Sequence, residues 1–87
     1  MITRSAVVGS RIGLHARPAA LFSNAAAESD FDITVTFDGE EADAASALDV
    51  MGLGAMHGDT VTLSAEEDEA AEVLDRLVEL VESDLDN

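Results

Sequence analysis

An α+β fold, an antiparallel sheet with helices packed on one face, is predicted by three features of this 87-residue sequence. Apolar residues make up 47% of the chain and fall into periodic segments, which argues for a packed core and against disorder. Segments alternating at period two interleave with segments repeating at helical spacing. Turn chemistry separates them, in the order strand, helix, strand, strand, short helix, strand, helix.

Ile2 to Val8 sets Ile2, Arg4, Ala6 and Val8 against Thr3, Ser5 and Val7, and its branched residues suit a strand. Gly9 to Gly13 breaks it. From Ala16 to Glu28, alanine content and the spacing of Leu21, Phe22, Ala25 and Ala26 predict a helix with one apolar face, Pro18 being read as its first residue. Phe31, Ile33, Val35 and Phe37 alternate with Asp32, Thr34 and Thr36 as a second strand whose odd residues face the core. Asp38 and Gly39 are hairpin residues, so Glu40 to Asp43 returns as a short charged edge strand. Ser46 opens a short helix closed by Gly52 and Gly54, and Thr60 to Ser64 is the last strand after a turn at Gly58 and Asp59. The acidic run Glu66 to Glu69 leads into a helix over about Asp68 to Ser83, with Ala70, Val73, Leu74, Leu77, Val78 and Val81 on its inner face. Residues 1–87 read as one domain, without repeat or linker.

Nineteen acidic residues oppose four basic ones, all arginine, for a net charge of −15. Self-repulsion on that scale destabilises a compact state at low salt and is screened near 1 M, where the Debye length is about 3 Å. A salt-adapted surface, and hence a halophilic source with a high-salt cytoplasm, is expected. Nucleic acid and anionic membranes are poor partners for this charge, with no basic stripe and three aromatic residues. Without cysteine there are no disulfides or thiolate metal sites, and His57 has no second ligand at metal spacing; no metal or cofactor is expected. No signal peptide or apolar span stands out, so a cytoplasmic soluble protein is expected; a monomer is expected separately, with no sequence feature that fixes the oligomeric state.

Chemistry concentrates in Gly13, Leu14, His15, Ala16, Arg17, Pro18 and Ala19, where an imidazole and a guanidinium meet at the start of a helix. The free amides of a first helical turn, the positive end of the helix dipole and the forked donors of Arg17 form a place to hold a phosphoryl group on or beside His15. Gly13 permits the tight turn before it, and Ala16, Ala19 and Ala20 leave the approach uncrowded.

This string, its position in the chain, the segment Ser46 to Gly54 (SALDVMGLG) and the length together resemble the HPr family, histidine-containing phosphocarriers of the phosphoenolpyruvate-dependent sugar phosphotransferase system. The resemblance implies an open-faced β-sandwich, four antiparallel strands in the order 1-4-2-3 with three helices on one side. It implies that His15 accepts a phosphoryl group on Nδ1 from Enzyme I and passes it to the IIA component of a sugar transporter, without catalytic turnover of its own. Arg17 would stabilise the phosphate, with backbone donors from Ala16, Arg17 and the amides that follow. Ala47, Leu48 and Met51 match an apolar docking patch, while Val50 and Leu53 read as core.

Ser46 has two readings. Its residue type and the Asp49 three positions on suit a helix cap; the resemblance adds a regulatory phosphorylation site, which Asp49 would oppose. Asn24, Ala27, Ala45 and Asp49 stand where many family members carry lysines, which shifts expected recognition toward apolar contacts and Arg17. Alternative routes are a dihydroxyacetone kinase or a regulatory relay as acceptor, and a regulatory binding module of the same fold without a carrier role.

Overall fold

The computed structural model describes residues 1–11 and 13–83. Its elements are β1 (Ile2–Val7), α1 (Ala16–Glu28), β2 (Ile33–Phe37), β3 (Glu40–Asp43), α2 (Ala47–Gly52), β4 (Thr60–Ala65) and α3 (Ala71–Glu82). The sheet has the order β1-β4-β2-β3 and every pairing is antiparallel.

Register puts the apolar residues of the four strands on one face, exposed Val7 of β1 excepted. Ala42, Val35, Leu63 and Arg4 form one row across the sheet, and Ile33, Ala65 and Ile2 another. Val35, Leu63, Ala42, Ile33 and Ala65 are buried, whereas Thr3, Ser5 and Thr60 of the opposite face are exposed and Thr34, Thr36, Thr62 and Ser64 half-buried. The helices cover the apolar face: Ala19, Phe22 and Ala26 of α1, Val50 of α2, and Leu74, Leu77 and Val81 of α3 join the same core. At the edge of its row Arg4 cannot be buried, and its Nε donates to Asp75 of α3 at 2.9 Å.

The β2–β3 link is the two-residue hairpin expected from Asp38 and Gly39. Their φ values of 52° and 81° are those of a type I′ turn, whose twist matches the flanking strands.

Three boundaries differ from expectation. Phe31 precedes β2 and is only half-buried, because Phe31 N–H donates to Ser29 Oγ at the end of α1 instead of joining the sheet. The last helix begins as a 3-10 turn over Asp68–Ala70 and becomes α-helical only at Ala71, so of the acids near its start Glu72 lies in the first α-helical turn. Ala70, fully buried beneath the turn, fixes where the chain enters the helix. The third concerns the start of α1.

Candidate functional site

Helix α1 begins at Ala16, two residues before Pro18, and His15 is its N-cap residue. Pro18 is therefore the third helical residue and not the first. The reason is that the amides of the whole first turn lack helical acceptors, so a residue without N–H loses nothing at the third position either. The first helical hydrogen bond runs from Ala19 N–H to His15 O at 2.9 Å. This trims the expected donor set: Ala19 is already engaged, and the amides of Ala16 and Arg17 are those that helix geometry leaves without partners.

The chain reaches His15 through a sequence of backbone anchors. Val8 N–H donates to Asp59 O at 2.8 Å, Gly58 N–H to Val8 O at 2.9 Å, and Gly9 N–H to Val81 O at 2.9 Å. A turn closes from Gly13 N–H to Ser10 O, Leu14 N–H donates to Ala55 O at 3.1 Å, and a tighter turn closes from His15 N–H to Gly13 O at 3.0 Å. Gly13 is required twice over. Its φ is +86°, and a Cβ there would lie 2.6 Å from the Ala55 carbonyl oxygen. The buried Leu14 side chain on one side and buried Pro18 and Ala19 on the other hold His15 at the surface, half-buried, just before the exposed Ala16 and Arg17.

His15 adopts an extended backbone with φ −88° and ψ −170°, and its side chain makes no capping hydrogen bond to the helix. The positive end of α1 is thus left without a side-chain acceptor. Ala16 and Arg17 are exposed beside it, with no acidic residue in the first turn. A tetrahedral anion on the imidazole would meet two amides, the helix dipole and a guanidinium.

Helix α2 packs against α1. Ser46 is its N-cap, and the hydroxyl accepts from Asp49 N–H at 3.3 Å. Leu48 is 76% exposed, while Ala47 and Met51 are half-buried and rest against the core. Val50 and Leu53 are buried, as expected. His57 is exposed on the following loop. Among the described residues no group of three His, Cys, Asp or Glu could hold a metal ion, and no helix is long and apolar enough to cross a membrane.

The family model described as "PTS HPr component phosphorylation site" matches residues 2–83. The chain belongs to the HPr family of phosphocarrier proteins. The phosphocarrier protein HPr of Streptomyces coelicolor is 40% identical over 87 residues, covering 99% of this chain and 94% of that one. A crystal structure of HPr from Bacillus anthracis superposes with a TM-score of 0.85 at 34% identity, covering 92% of this chain and 95% of the other. The HPr-like protein Crh of Bacillus subtilis is 33% identical over 85 residues, covering 98% of this chain and all of that one. An HPr protein of the phosphotransferase system carries phosphoryl groups and is not a catalyst on its own. The family implies Enzyme I and IIA proteins as its partners.

Two residues that matter to the site were not singled out from sequence. Gly9 admits the end of α3: a Cβ there would lie 1.9 Å from the Glu82 carbonyl oxygen. Met56, 55% exposed, lies against Gly13, its Sδ 3.3 Å from where a Cβ would be. Its local signal is a large apolar residue in a glycine-punctuated loop, which by itself predicts nothing about what lies opposite.

Proposed function

We propose that His15 is the phosphoryl acceptor of this HPr protein, taking the group on Nδ1 from phospho-Enzyme I and passing it to the IIA domain of a sugar transporter. The observation that carries this reading is the helix start without a side-chain cap directly after His15. The Nδ1 lone pair forms the bond to phosphorus as the bond to the donor's leaving atom breaks; transfer to the acceptor repeats the exchange with His15 as leaving group. The partners supply the remaining catalytic groups. Ala16 and Arg17 amides bind phosphoryl oxygens, and the Arg17 guanidinium offsets charge during transfer. Ala47, Leu48 and Met51 form part of the docking surface, for which Leu48's exposure is the support. Ser46 acts as the cap of α2, supported by its bond from Asp49 N–H, rather than as a phosphorylation site. A cytoplasmic location and a salt-adapted surface belong to the same reading, the latter resting on the net charge of −15.

The test is intact mass after incubation with phosphoenolpyruvate, Mg²⁺ and the cognate Enzyme I in high-KCl buffer. One acid-labile phosphate on the wild type and none on folded His15→Ala is expected. Equal phosphorylation of both refutes the assignment of His15. The likeness to Crh of Bacillus subtilis, described as a catabolite repression HPr, favours a second reading, a regulatory binding module; a folded wild type that takes no phosphate from an active Enzyme I would support it.

A further inference from the structure

Strand β1 lies at the edge of the sheet and pairs with β4 alone. Val8, just beyond it, turns both backbone groups toward the loop before β4, its N–H donating to Asp59 O and its carbonyl accepting from Gly58 N–H. Backbone direction alternates along an antiparallel strand, so Ile2, Arg4 and Ala6 also turn toward β4, and Thr3, Ser5 and Val7 direct their N–H and C=O groups outward. All three outward residues are exposed.

An edge of this kind is complementary to itself. If β1 met β1 of a second copy, antiparallel and centred on Ser5, Ser5 would face Ser5, and Thr3 of each copy would face Val7 of the other. Thr3 O would then accept from Val7 N–H across the two-fold axis, and the β-branched side chains of Thr3 and Val7 would pair on the open face of the sheet. Those two backbone groups are the ones already engaged. Val7 N–H donates to Glu82 Oε2 at 3.1 Å, and Thr3 O accepts from Arg4 Nη1 at 2.9 Å. Both caps are held from α3: Arg4 Nε donates to Asp75 Oδ1 at 2.9 Å, and the bond from Gly9 N–H to Val81 O at 2.9 Å fixes the end of the helix beside the strand. Ser5 carries no such cap among the described residues.

We propose that Arg4 and Glu82 are an edge guard, which keeps β1 from pairing with β1 of a second copy of this chain. A contact between two six-residue strands buries less than the ~1,000 Å² that marks a stable interface, so it depends on its backbone bonds. Withdrawing Thr3 O and Val7 N–H removes such a bond on each side of the two-fold axis and places charged side chains in the lane of the incoming strand. Charge on α3 adds to the guard. Exposed Asp75, Glu79 and Glu82 share one face of the helix by their spacing, and a second copy would bring the same carboxylates opposite them. That repulsion is screened near 1 M salt, where the Debye length is about 3 Å, so the two caps matter most in concentrated salt. The guard is independent of the carrier reading of His15.

The experiment is sedimentation velocity over a concentration series in about 0.1 and 2 M KCl, with amide hydrogen exchange read residue by residue. The wild type should stay monomeric in both salts, and its Val7 amide should exchange about tenfold more slowly than its Ser5 amide, as one added hydrogen bond requires. The double variant Arg4→Ala, Glu82→Ala frees a bond on each side of the axis and should self-associate about a hundredfold more tightly than the wild type in 2 M KCl, with the Ser5 amide newly protected. Adding Ser5→Pro removes the central donor at an edge position that tolerates proline, and should return the monomer. Circular dichroism checks that the variants fold; the wild-type exchange rates need no variant. Equal exchange at Val7 and Ser5 in the wild type, a double variant that associates no more tightly than the wild type, or a dimer that leaves Ser5 unprotected or survives Ser5→Pro overturns the proposal.

Discussion

Replacing Gly9 by alanine should destabilise the fold by about 3 kcal/mol, though Gly9 touches neither substrate nor partner. Real Cβ atoms essentially never approach another heavy atom within 3.0 Å, and at Gly9 the Glu82 carbonyl oxygen lies at 1.9 Å and its carbon at 2.6 Å. Both obstacles are backbone, so the end of α3 and the exit of β1 must separate by about 1.1 Å. That separation breaks the 2.9 Å bond from Gly9 N–H to Val81 O and stretches the 3.1 Å bond from Val7 N–H to Glu82 Oε2. The first loss costs about 1 kcal/mol, the exposed second less, and overpacking adds about 1–3 kcal/mol. Against a total stability of about 4–13 kcal/mol for a chain of this size, that is a large fraction. Melting should fall by roughly 12–24 °C. The assay is urea unfolding in 1 M KCl or thereabouts, read by circular dichroism, with Gly52→Ala as the contrast. A Cβ at Gly52, the last residue of α2, meets nothing within 4 Å, so that variant should be neutral or gain up to about 1 kcal/mol from helix propensity. A Gly9→Ala midpoint equal to the wild type would refute the claim that the end of α3 leaves no room beside Gly9.

Ser46→Ala should cost about 1 kcal/mol in the same unfolding assay through loss of the cap on α2, with phosphoryl acceptance intact. Arg17→Ala should lower kcat/KM for transfer by roughly tenfold, the effect of one solvent-exposed charge-assisted contact, with the unfolding midpoint unchanged. Raising KCl from about 0.1 to 2 M should stabilise the wild type by about 1 kcal/mol or more, near 5 °C in melting temperature; a flat response would show that the acidic surface carries no salt adaptation. Arg4→Ala should change stability by less than about 1 kcal/mol, because its ion pair with Asp75 is largely solvent-exposed.

Local chemistry made much of this protein legible in one dimension. Alternation in Ile33, Val35 and their neighbours, helical spacing in Leu74, Leu77 and Val81, and the Asp38 and Gly39 turn each act over a few residues, so the elements follow from periodicity and turn type. The carrier motif is readable for the same reason: imidazole, guanidinium and helix start lie within four residues. The strand order 1-4-2-3 was legible through family resemblance, not through periodicity, since β1 pairs with β4 some sixty residues away.

What only the tertiary structure decided are the approaches between distant segments. The close contact of Gly9 with Glu82, Met56 lying against Gly13, and Arg4 reaching Asp75 join residues that no local pattern relates. Even the start of α1 was decided this way, because the first turn tolerates proline at more than one position and the anchors from Gly9 to Leu14 choose where the helix begins. Period and turn chemistry act on neighbours in the chain; packing acts on neighbours in space, and the surface around His15 is assembled from the start of α1, helix α2 and the loop at Met56, which meet only when folded.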